Sequence, residues 1–302
     1  MKENWFGKYI GEAVGVFMII FFGDGVLHVA ILHGQVAGLF EASIGWGLAV
    51  GLAVWFGAAL SGAHFNPGVT IALAWRRGFP WSQVIPFIIA QIAGGFIGAA
   101  TLGAMYSSDI AKFIADKGIV KTAPSGLQLA LMYVPYTPHP AMFGLTSLPT
   151  VAAVEAAAHA AVPWYLGGFA EFVVTAILMC GILNFLDDKQ AFKPGNFFPF
   201  ALAILVTMLV FAEAPLTMIS MNAARDLGPR LWLAVEGYGQ WAFPGLQGGG
   251  STLATTVFPI IGACFGAWFF DTVMRPNMGP AAAPEPKPEV AQPAAPRGAR
   301  TA

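Results

Sequence analysis

Two asparagines, Asn66 and Asn222, occupy related places in two short segments, Ser61-Gly62-Ala63-His64-Phe65-Asn66-Pro67-Gly68-Val69-Thr70 and Ser220-Met221-Asn222-Ala223-Ala224-Arg225-Asp226-Leu227-Gly228-Pro229-Arg230. Asparagine followed by proline or alanine marks a helix N-cap and first turn. Each cap leads into about ten mostly apolar residues, which predicts short helices over 66–76 and 222–233. A helix of that length covers only about 15 Å of a hydrocarbon core about 30 Å thick. Two such half-helices entering from opposite faces meet near the midplane and aim two amide side chains and two positive helix ends at one spot. That arrangement suits a path for neutral polar molecules. For either asparagine taken alone, capping is the alternative reading.

The residues before each asparagine, Gly62, Ala63, His64 and Phe65 in one segment and Thr217, Met218, Ile219, Ser220 and Met221 in the other, are expected to be non-helical backbone at membrane depth. Such backbone is tolerated only where it is buried in protein or lines a wet cavity. Its carbonyls then form a ladder of acceptors for a solute that has lost its water, and Asn66 and Asn222 add donors. Arg225 is a charge inside a membrane half-helix, which costs at least about 2.5 kcal/mol unless it faces a polar cavity. A salt bridge to Asp226 is the alternative, although neighbours on a helix point away from each other. Glu12 and Glu171 are acids deep in apolar stretches, as are Asp24 and Glu213, for which the sequence provides no assignment.

The elements that must position these residues follow from composition. Hydrophobic residues are 57% of the 302-residue chain and charged residues 10%, against about a quarter charged in soluble domains. Apolar stretches long enough to span run over 9–32, 41–60, 84–106, 164–186, 197–214 and 253–274. The first is too long for a signal-peptide core and is expected to remain in the mature chain. With alternating spans, Lys2, Lys8, Arg76, Arg77, Lys189, Lys193 and Arg275 fall on one side, which places both termini in the cytoplasm. Cys180 and Cys264 offer neither a disulfide framework nor a metal cluster, and the five histidines have no ligand spacing, so no cofactor or metal is expected. A net charge of −1 points to no nucleic acid.

Glu12 precedes Asn66 by 54 residues and Glu171 precedes Asn222 by 51, a spacing that an internal duplication explains. With three spans per half, the second copy inserts upside down. The expected organisation is a first repeat over 1–106, a long extracellular loop over 107–163 whose Ala-rich piece 151–162 suits a surface helix, a second repeat over 164–275, and an Ala-Pro-rich, disordered cytoplasmic tail over 276–302. Glycines four apart, at Gly11 and Gly15, Gly47 and Gly51, Gly94 and Gly98, and Gly262 and Gly266, suit close helix crossings.

At the two asparagine segments and their flanks, over about residues 5 to 275, the chain resembles the major intrinsic protein family, the aquaporins and aquaglyceroporins, whose signature is Asn-Pro-Ala in each half. The Asp226 that follows Arg225 makes it most similar to glycerol facilitators. The resemblance implies an all-α membrane protein of six transmembrane helices and two half-helices in an inverted repeat. It implies a homotetramer in the cell membrane that passes glycerol, other small neutral solutes and some water, and no enzymatic activity. It makes Arg225 the arginine of a selectivity filter, with Trp46, twenty residues before Asn66, Val210, twelve before Asn222, and Ile219, three before it, as the other filter residues. It gives Glu12 and Glu171 the role of holding the non-helical loops. Two motif positions depart from the family, Gly68 for alanine and Ala223 for proline, and Ile219 stands where glycerol facilitators carry an aromatic. These changes permit a channel tuned to urea, ammonia or a hydroxylated metalloid. A reading of a different class is a proton-coupled transporter using Glu12 or Glu171.

Overall fold

The computed structural model describes residues 4–36 and 38–279, and among them every regular element is a helix. In chain order these are α1 (Trp5–His28), α2 (Leu39–Ser61), α3 (Pro67–Arg76), α4 (Trp81–Met105), α5 (Ser107–Lys117), α6 (Leu127–Ala130), α7 (Val151–Ala161), α8 (Trp164–Leu186), α9 (Phe198–Thr217), α10 (Ala223–Val235) and α11 (Gly250–Phe269). Six runs are long and apolar enough to cross a membrane: Trp5–His33, Leu39–Ser61, Trp81–Met105, Trp164–Leu186, Gly195–Thr217 and Gln247–Asn277. Several start before the purely apolar stretch because a cap, not hydropathy, sets the first turn. Asn4 accepts the Gly7 N–H at the head of α1, and Pro80 precedes Trp81 at the head of α4. The two half-helices are α3, capped by Asn66, and α10, capped by Asn222 and two residues longer than the sequence reading.

The long helices are apolar around most of their circumference, so small residues decide which faces meet. In each half the first long helix packs on the other two: α1 on α2 and α4, α8 on α9 and α11. The halves join through α2 and α9, and each half-helix lies chiefly against the last long helix of the other half, α3 on α11 and α10 on α4. The glycine pairs mark these crossings. A side chain at Gly94 would place its Cβ 2.8 Å from the Ala13 carbonyl carbon, and one at Gly262 would come to 3.0 Å from that of Phe172. Both obstacles are backbone, which cannot swing aside.

The segment 107–163 is more than a connection. It contains α5, α6 and the Ala-rich helix α7, and from Leu129 near the end of α6 through Pro138 every residue is buried, with Tyr136 and Thr137 fully so. It is bonded to the connection between α10 and α11 and to the first turn of α11: Tyr136 Oη donates to Trp241 O at 2.6 Å and the Thr137 N–H to Ser251 Oγ at 2.8 Å. On the opposite face, Arg76 Nε reaches Asp271 Oδ2 at 2.9 Å, tying the end of α3 to the last span. The chain continues from α11 to a turn at Arg275–Asn277, past the start expected for the tail, and the remainder of that Ala-Pro-rich segment lies outside the described residues.

Valine at Gly94 or at Gly262 should therefore cost about 1–3 kcal/mol or more by overpacking, read as a fall of several degrees in the thermal midpoint of the detergent-purified protein. Gly25→Ala is the control. Its Cβ meets only Leu102 Cδ2, at 3.7 Å, so its midpoint should stay close to that of the unmodified chain.

Candidate functional site

The tips of α3 and α10 are latched to each other by their own caps. Asn66 Oδ1 accepts the Gly68 N–H at 2.9 Å while its Nδ2 donates to Met221 O at 2.7 Å. Asn222 Oδ1 accepts the Ala224 N–H at 3.0 Å while its Nδ2 donates to Phe65 O at 2.7 Å. Each amide thus caps its own helix with oxygen and ties the opposite half with one N–H, keeping a second N–H. Both border an internal cavity of about 80 Å³. Trp46, Val210, Ile219 and Arg225 border it too, as do Ala63, His64, Phe65, Ser220 and Met221. Gly62, Thr217 and Met218, anticipated beside them, do not. Thr217 is the last residue of α9, and Gly62 and Met218 are left-handed C-caps, at φ 89° and φ 60°, that close α2 and α9.

The segments leading to the asparagines share one unusual backbone. Ala63 (φ 58°) and Phe65 (φ 50°) stand three and one residues before Asn66, and Ile219 (φ 48°) and Met221 (φ 51°) stand at the same offsets before Asn222. Left-handed conformations of such residues cost on the order of 1–3 kcal/mol each and persist only where the surroundings over-determine them. Here a buried carboxylate does so in each half. Glu12 Oε1 accepts from Ser61 Oγ (2.6 Å) and the His64 N–H (3.1 Å), and Oε2 from the Phe65 N–H (2.7 Å) and Gln91 Nε2 (2.7 Å). Glu171 Oε1 accepts from Thr217 Oγ1 (2.7 Å) and the Ser220 N–H (2.6 Å), and Oε2 from the Met221 N–H (2.8 Å). Glu213 joins the second cluster, its carboxyl 2.7 Å from the same Thr217 hydroxyl.

At one end of the cavity the Arg225 guanidinium lies over the Trp46 ring, 4.2 Å from its centroid, with Nη1 donating to Tyr133 O at 3.0 Å and Nη2 3.5 Å from Asp24 Oδ1. The alternative pairing of Arg225 with Asp226 does not form. Asp226 instead accepts from Arg230 Nε at 2.7 Å and Thr255 Oγ1 at 2.6 Å. Arg230 in turn donates to Pro135 O at 2.9 Å, so both arginines of α10 hold the buried stretch of the long loop. Burial pushes the Tyr133 phenol well above its ordinary pKa, so the ring beside this end stays neutral.

Sequence reasoning left Asp24 unassigned, although an acid in an apolar span is itself a signal. It missed Gln91, Arg230 and the carbonyls of Tyr133 and Pro135. Backbone acceptors of a loop carry no side-chain signature. Of the two motif departures, Gly68 has a packing reason: a Cβ there would lie 3.0 Å from Ala263 Cβ and 3.3 Å from Ile260 Cα, where α11 crosses α3.

Comparison with known proteins agrees with this geometry. The family described as Major intrinsic protein matches residues 1–270. A glycerol uptake facilitator protein of Pseudomonas aeruginosa is 35% identical over 286 residues, covering 94% of this chain and 95% of that protein. A propanediol uptake facilitator of Salmonella typhimurium is 35% identical over 278 residues, covering 92% and 97%. Among solved structures, the aquaglyceroporin from Plasmodium falciparum superposes with a TM-score of 0.70 at 23% identity, covering 90% of this chain and 98% of its own.

Replacing Glu12 or Glu171 by glutamine turns one acceptor oxygen into a donor that faces a backbone N–H. Each change should cost about 1–3 kcal/mol, the penalty for a buried unsatisfied group. The thermal midpoint of each variant in detergent should drop further than that of Ser61→Ala. Equal midpoints for Glu12→Gln and the unmodified protein would count against the holding role.

Proposed function

The chain belongs to the major intrinsic protein family, and on that premise we propose that it is a passive channel for glycerol and other small neutral solutes, with some water permeability, excluding ions and protons. The observation that carries this reading is the amphipathic constriction. The guanidinium of Arg225, seated on the Trp46 ring, offers hydrogen-bond donors at this end of the cavity, while the aliphatic Val210 and Ile219 and the indole itself present carbon. A polyol presents the same two faces. The names of the related facilitators, for glycerol and for propanediol, support the same solute class. Further along, Asn66 and Asn222 each retain an amide N–H, and the two helix ends add positive potential, which disfavours cations and interrupts a proton relay along water. Glu12 and Glu171 act as struts.

In this reading the second set of three spans is inverted relative to the first, both termini are cytoplasmic, and the protein is a homotetramer in the cell membrane. The aliphatic Ile219 leaves a broader slot than a ring would, which favours permeability to further neutral solutes such as urea or hydroxylated metalloids.

Light-scattering measurements on proteoliposomes test the proposal. Glycerol entry should rise linearly with its gradient and ignore an imposed pH difference. Saturation at low concentration, abolished by Glu171→Gln, would replace the channel by a coupled transporter. Ile219→Phe should narrow the slot. Five-carbon polyols should then slow by about tenfold, the equivalent of about 1.4 kcal/mol of added barrier, and glycerol by less. Unchanged flux ratios at normal abundance would remove Ile219 from the filter.

A further inference from the structure

Asp24 lies in α1 with no exposed surface, and neither carboxylate oxygen receives a hydrogen bond from any described residue. An ionised carboxylate at that depth requires a compensating charge. Among the described residues its one ion pair is with Arg225, whose Nη2 is 3.5 Å from Oδ1, both side chains being at most 3% exposed. Other groups nearby are engaged elsewhere. His28, one turn along α1, directs Nδ1 to the main-chain oxygen of Asp24 at 2.8 Å and not to its carboxylate. Asp226, beside Arg225 in sequence, is held by Arg230 and Thr255.

The neighbouring position on α1 serves the other wall of the constriction. At Gly23 a Cβ would come 2.7 Å from Trp46 Cη2, so this glycine admits the indole. Consecutive residues of one helix therefore back the ring and the guanidinium that face the solute. Opposite charges about 4 Å apart in a poorly polarisable interior attract strongly, and at a distance their fields largely cancel. An arginine so paired retains its N–H groups for hydrogen bonding but loses most of its power to repel a cation.

Resting on the channel reading above, we propose that Asp24 is the counter-ion of Arg225, a positioning and specificity-determining residue. It holds the guanidinium against Trp46 and cancels its charge, so the constriction sorts solutes by size and hydrogen bonding. Exclusion of cations falls to the paired helix ends at Asn66 and Asn222.

The test compares the full-length protein with Asp24→Asn, Arg225→Ala and the double variant in proteoliposomes, reading glycerol flux by light scattering, proton leak with an entrapped pH dye, and nitrate entry. Arg225→Ala removes the side chain that stands between the Asp24 carboxylate and the cavity, leaves that carboxylate unpaired and should raise proton leak about tenfold, and adding Asp24→Asn should return it to near the unmodified value, a coupling that independent sites would not show. Asp24→Asn alone keeps the side-chain shape, leaves the arginine uncompensated, and should raise nitrate entry several-fold. A double variant that leaks as much as Arg225→Ala, or nitrate entry unchanged in Asp24→Asn, would overturn the assignment. Absence of glycerol flux in the unmodified protein would instead overturn the channel reading, which separates the two failures.

Discussion

Backbone that leaves the helix inside a membrane must find all its hydrogen bonds within the protein, and here Glu12 and Glu171 provide them. Each carboxylate takes the N–H groups of the two residues before an asparagine and the hydroxyl that ends the preceding helix. With those N–H groups fixed, the left-handed residues at matched positions hold their conformation, and the carbonyls of Phe65 and Met221 stay free to accept. The asparagine of the opposite half then donates to each of them. Without the struts there would be no ordered carbonyls, and without those carbonyls the half-helix tips would have nothing to join.

The two halves solve the same problem with different side chains. In the first, Gln91 Nε2 is the last of the donors around Glu12 and also donates to Thr70 Oγ1, and the Phe65 ring occupies space that a side chain at Gly15 or Gly57 would need. In the second, the position four before the helix-ending hydroxyl is Glu213 instead of Gly57, and it shares the Thr217 hydroxyl with Glu171. The repeated feature is a hydrogen-bond pattern. Residue identity varies around it, so the likeness of the two segments is faint as sequence and plain as a hydrogen-bond pattern.

Charge near the mouth is handled by pairing and by peptide carbonyls. Arg225 and Arg230 lie on one half-helix, yet one borders the cavity and the other is fully buried. Asp24 and Tyr133 O receive the first, and Asp226, Pro135 O and Ala242 O the second. The buried stretch of the long loop is thereby fixed to α10. It provides a wall of carbonyl acceptors where an apolar loop could not satisfy two guanidinium groups.

Sequence alone determined the class of fold and the centre of the site. Six apolar runs, two asparagine-capped half-spans and paired acids at matched spacing require no tertiary information, because hydropathy, capping and residue spacing are local or periodic signals. The likeness of Asn66 and Asn222 to a known family also marked Trp46, Val210, Ile219 and Arg225, which the fold brings to one cavity. Only the tertiary structure decided what stands behind them. Asp24 reaches Arg225 because α1 and α10 meet, Gly68 is small because α11 crosses α3, and the segment 107–163 became a wall through main-chain carbonyls. Gly62, Thr217 and Met218 stand where α2 and α9 end, outside the residues that border the cavity. Contacts between distant helices and acceptors on the backbone leave no residue pattern to read, whereas a half-helix too short to span a membrane announces itself in its own sequence.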